Sequence, residues 1–132
     1  MHKVVTAVAA LLLSAASATL TLPAVAQTHE HHHGAMGPNG GMMQDVAGVH
    51  VELVAANQTL TAYLYDEAGR PVLAAGYIGS TVVGVGQARQ VVPLKPSDGN
   101  TLSGIIPAAL VPGARILLKF ETPEGKAGQA RF

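Results

Sequence analysis

The chain has 132 residues, eight Lys+Arg against eight Asp+Glu, 48% hydrophobic and 12% charged residues, and no Cys. That length suits one domain, formal neutrality argues against the basic surface that phosphate-backbone binding requires, and the lack of Cys excludes disulfides, thiolate metal sites and thiol nucleophiles. The distinctive count is six His, four of which fall between positions 29 and 33.

Residues 1–26 read as a secretory signal peptide. Lys3 and the amino terminus form a short positive region, Val4 to Leu13 is an apolar run too short to span a bilayer, and Ala24-Val25-Ala26 fits the small-residue cleavage pattern. Ala16-Ser17-Ala18 is a second candidate for cleavage, and the two stay open. Export places the mature protein in a bacterial periplasm, with no membrane insertion after cleavage.

Residues 27–47 read as a flexible His/Met/Gly-rich arm, because glycines and a proline without hydrophobic periodicity do not repay the entropy of ordering the backbone. From Gly48 onward short alternating runs are separated by turn residues, the pattern of an all-β fold. The expected architecture over residues 48–132 is an Ig-like antiparallel β-sandwich of about seven strands. Val49, Val51 and Leu53 form the apolar face of the first run, and Leu60, Ala62 and Leu64 that of the second. Asn57-Gln58 between them supplies a hairpin turn. Further strands are expected near Ile78–Val85, Arg89–Lys95, Thr101–Ile106, Ala114–Glu121 and Ala127–Phe132, with Ile116, Leu118 and Phe120 sharing one face. No long stretch carries a 3.6-residue apolar period with caps, so no long helix is expected, and Pro107 to Leu110 offers one helical turn at most.

Chemistry concentrates in the arm. His29, His31, His32 and His33 supply neutral imidazoles, borderline ligands that suit Cu(II), Ni(II) and Zn(II). Glu30 adds a carboxylate, while Met36, Met42 and Met43 add thioethers, which are soft and prefer Cu(I) or Ag(I). The mixture points to a copper ion first, with zinc, silver and nickel as the other candidates. Cleavage after Ala26 would also put His29 at the third mature position, where the amine of Gln27, two amide nitrogens and the imidazole form a square-planar four-nitrogen site. The bland reading of the tract is a solvated low-complexity tail.

His50 and Glu52 lie two apart on a strand and project from one face, with Cβ atoms about 7 Å apart. They are either the polar face of a half-buried strand or a metal site completed by Asp45 or by an arm histidine. Tyr63 and Tyr65 share the outward face of their strand. No nucleophile elbow, phosphate loop or HExxH helix occurs, so a non-enzymatic protein is expected.

The succession His50-Val51-Glu52-Leu53, then Thr61 through Tyr65-Asp66-Glu67-Ala68-Gly69-Arg70-Pro71-Val72, then Val92-Pro93-Leu94-Lys95-Pro96 with Gly99-Asn100-Thr101-Leu102, and the ending Gly128-Gln129-Ala130-Arg131-Phe132 resembles a small periplasmic β-sandwich module. Such modules stand free or are fused to the periplasmic adaptor subunits of heavy-metal efflux pumps of the resistance-nodulation-division type. The resemblance implies handling of copper, silver, zinc or cobalt and an efflux adaptor as partner, and it transfers no ligand set beyond the position of His50 and Glu52. The expected function is therefore a periplasmic metal-binding protein for sequestration or delivery, accessory to metal efflux. The alternative is an interaction module that docks on an envelope partner without metal.

Overall fold

A computed structural model describes residues 34–85 and 87–132. The expected signal peptide and the histidine run lie outside the described residues. Within them the chain is all-β: β1 (Ala35–Met36), β2 (Met42–Val46), β3 (Val49–Ala56), β4 (Thr59–Tyr65), β5 (Ile78–Val85), β6 (Ala88–Pro96), β7 (Thr101–Ile105), β8 (Arg115–Glu121) and β9 (Ala127–Arg131). No helix forms among the described residues, and Pro107 to Leu110 passes through bends.

The strands join in one hydrogen-bonded order, β1-β2-β3-β4-β7-β6-β5-β8-β9, with every pairing antiparallel. The expected Ig-like sandwich is thus replaced by a curled nine-stranded sheet. Its continuity comes from β6: residues 88–94 pair with β5, whereas Lys95 and Pro96 pair with Ser103 and Leu102 of β7. Pro93 has no N–H for a ladder and sits beside that passage between neighbours. A close approach is needed there, because a Cβ on Gly104 would lie 2.4 Å from the Pro93 carbonyl oxygen.

Curling brings the apolar faces of both halves together. Val51, Leu53, Leu60, Ala62, Leu64 and Leu102 from one half meet Val83, Val92, Leu94, Ile116, Leu118 and Phe120 from the other, all buried. The inward residue Thr81 is reconciled with this core by donating its hydroxyl to the Val92 carbonyl at 3.1 Å. No buried side-chain polar atom among the described residues lacks a partner. The strand faces read from the period-two pattern of β3, β4 and β8 are the faces that pack.

The curl closes at a seam. Gln44 on β2 donates its amide to the Arg131 carbonyl on β9 at 3.3 Å, and Gly128 lies against Val46 and Ala47. No strand ladder joins β2 and β9 there.

The part of the expected flexible arm that falls on residues 34–47 is built into the sheet as β1 and β2. Composition misled because Gly37 and Gly41 serve close packing. Ala47 and Gly48, both at positive φ, form the tight turn from β2 into β3, and Asn57 and Gln58 do the same between β3 and β4.

Candidate functional site

The hairpin of β1 and β2 carries the candidate thioether ligands Met36, Met42 and Met43. Its register pairs Ala35 with Met43 and Met36 with Met42. Directly opposite residues share a face, so Met36 and Met42 stand side by side with Cβ atoms about 5 Å apart. Their exposures are 72% and 41%, unusual for methionine and unhelpful to a core. Met43 is opposite Glu52 and belongs to the other face, so the three thioethers divide into a pair and an outlier. The Met42 methyl lies over Gly34, where a Cβ would come within 3.3 Å of it. Gly34 directly follows His33. His29, His31, His32 and His33 themselves lie outside the described residues.

Glu52 has a different fate. It projects from the outer face of β3, as its spacing from His50 implies, yet it is 0% exposed. The turn Gly37-Pro38-Asn39-Gly40-Gly41 folds over it. Oε1 accepts the backbone N–H of Asn39 at 2.8 Å and of Gly41 at 2.9 Å, while Oε2 accepts the Asn39 side-chain amide at 2.9 Å and the Tyr65 hydroxyl at 3.3 Å. The same Asn39 amide donates to the Tyr65 hydroxyl oxygen at 2.8 Å. Four donors around one carboxylate compensate the loss of water. Both oxygens of this buried carboxylate are thus occupied by donors from the loop and from Tyr65.

Glycine makes that closure possible. A Cβ on Gly37 would sit 2.2 Å from the Glu52 carboxyl carbon, and one on Gly41 would sit 2.3 Å from the Leu53 carbonyl oxygen. Asn39, Gly37, Gly41 and Tyr65 are the residues that sequence reasoning missed as a unit. The available signal was a pair of glycines flanking Pro-Asn-Gly next to an isolated acidic residue in an apolar strand. Burial pushes the Tyr65 phenol above its ordinary range, and the negative Glu52 beside it adds to the shift.

His50 sits between Asp45 on β2 and Tyr65 on β4 in the ladder. Its Nδ1 contacts Asp45 Oδ1. This half of the expected outer-face patch does assemble, as a histidine held by a carboxylate. Among the described residues no three His, Asp or Glu side chains converge as a metal site.

The two arrangements have distinct chemistry. Paired thioethers are neutral, do not titrate and favour soft monovalent ions. The His50–Asp45 pair orients an imidazole but supplies only two donors. Comparisons with protein-family profiles, with curated proteins and with solved structures yield no match to this chain.

Proposed function

We propose that the protein binds a soft metal ion of the Cu(I) or Ag(I) class in the periplasm, for sequestration or for delivery to an efflux adaptor, without catalysing a reaction. The observation that carries this reading is the cross-strand Met36–Met42 pair, solvent-exposed and close in sequence to the histidine run. Imidazoles from His29, His31, His32 and His33 would complete the coordination that two thioethers begin, and would also accept Cu(II) or Zn(II) alone. The resemblance to modules of heavy-metal efflux systems supports the same compartment and partner class.

Silver titration followed by native mass spectrometry and calorimetry tests the pair. Met36→Leu and Met42→Leu should each weaken Ag(I) binding at least tenfold at pH 5, where imidazole is largely protonated, since its ordinary pKa is about 6.5. Met43→Leu should leave it unchanged. Equal binding by the Met36→Leu/Met42→Leu double variant would exclude the pair as the site.

A further inference from the structure

The equal totals of basic and acidic residues conceal an uneven distribution. On the half of the sheet formed by β6, β5, β8 and β9, alternate residues face outward because their neighbours Val92, Val83, Leu118 and Phe120 are buried. Arg89, Lys95, Arg115, Lys119 and Arg131 all belong to that outward set and are exposed. The acidic side chain among the outward strand residues is Glu121, while Asp98 and Glu124 lie in the turns after β6 and β8. The opposite half presents Asp45, Asp66 and Glu67, and its Arg70 is engaged by Asp66. None of the five outward cations forms an ion pair among the described residues.

The strand registers arrange this face in rows. Arg89 and Arg115 flank Gly84 in one row, and Lys119 lies opposite Ser80, itself opposite Pro93, in another. Between them runs an aliphatic row, Val91 to Val82 to Leu117, that ends at Arg131. Val91 is 70% exposed, and Ile78 further along β5 is 63% exposed. Cations on both sides of projecting aliphatic side chains match the boundary of an anionic bilayer, where phosphates lie level with the charges and acyl chains receive the apolar groups.

We propose that this outer face docks on the surface of an anionic phospholipid membrane. The face carries no aromatic side chain, so it lacks the stacking platform with which single-stranded nucleic acids are held. It likewise lacks the aromatic anchors that dominate protein interface cores. Docking of this kind needs no spanning element, and no helix among the described residues is long and apolar enough to cross a membrane.

Flotation of the full chain with vesicles of phosphatidylcholine alone, or with one third phosphatidylglycerol, tests the proposal. Binding is expected only to the anionic vesicles and should fall steeply as added salt shortens the screening length. Each of Arg89→Gln and Lys119→Gln should weaken it about fivefold, the effect of one near-surface charge. Val91→Ser should reduce it at fixed charge, with circular dichroism confirming that each variant is folded. Equal binding to neutral vesicles would overturn the proposal. So would unchanged binding by Val91→Ser together with full displacement by polyglutamate or an oligonucleotide at matched charge, which would mark a general polyanion site.

Discussion

Glu52 is a buried carboxylate whose hydrogen-bond partners come from distant parts of the sequence. A carboxylate two positions from a histidine is a reasonable metal ligand on paper, and the strand geometry does put both on one face. What the local sequence does not carry is the identity of the donors, which come from Asn39 and Gly41, thirteen and eleven residues earlier, and from Tyr65 on the neighbouring strand. Glu52→Ala should lower stability by about 2–4 kcal/mol in urea unfolding, because Asn39 and Gly41 N–H groups lose their acceptor under a loop that excludes water. Tyr65→Phe should cost about 1–2 kcal/mol, since it removes the hydroxyl's long hydrogen bond to Oε2 and the acceptor of the Asn39 side-chain amide. The phenol also sets a pH dependence. Tyr65 and Tyr77 are both raised above the ordinary tyrosine value, each first by burial and then by a nearby carboxylate, Glu52 and Glu124 respectively. The unfolded chain therefore gives up these protons first. Their contribution is fully present below about pH 10 and declines as pH rises beyond it. Unfolding free energies measured from neutral to strongly alkaline pH should fall more steeply for the parent than for Tyr65→Phe/Tyr77→Phe.

Among the elements, β3, β4, β6 and β8 were the most legible, because buried Val, Leu, Ile, Ala or Phe recur at period two along one face between turn residues. Pro71 and Gly69 ended β4 as expected, and the Asp66 carboxylate organises that turn by accepting the N–H groups of Ala68 and Arg70. The Arg70 backbone bond is the main cause of its lowered pKa. β2 was not legible. Its inward residues are Met42, Gln44 and Val46, and Gln44 faces the seam with β9, so its alternation carries no clear apolar signal. β1 has two residues and no periodicity to detect. At the crossing of β6 and β7 the sequence offered Pro93 and Gly104 without revealing that they touch. Gly104→Ala should destabilise the fold by about 1–3 kcal/mol, because its Cβ would meet the Pro93 oxygen and the Val92 and Leu94 side chains. Gly69→Ala, at φ 75° but in open space, isolates the backbone-strain component. Comparison of the two in thermal unfolding separates crowding from conformational strain.

For the molecule as a whole, fold class was readable and closure was not. Alternation fixes which side of each strand is apolar, but the choice between two facing sheets and one curled sheet depends on β6 changing neighbours within its own length, a decision made by long-range register. Charge was misjudged for a similar reason. Net neutrality is a sum over the chain, whereas a partner meets one face, and here strand alternation sends five cations outward from the same half. The thioether pair was half legible: the methionines were evident as soft donors, but only the hairpin register separates Met36 and Met42 from Met43.

The seam between β2 and β9 has a further consequence. An open nine-stranded sheet would expose two terminal backbones whose unpaired N–H and C=O groups invite strand addition by another molecule. In the curled sheet the free edge of β2 is covered at Met42 and Met43 by β1, and from Gln44 to Ala47 by the approach of β9. Each edge thus occupies the space in which a foreign strand would pair with the other. In a chain with few charges, this mutual shielding of β2 and β9 limits the backbone open to cross-β pairing without a completed barrel.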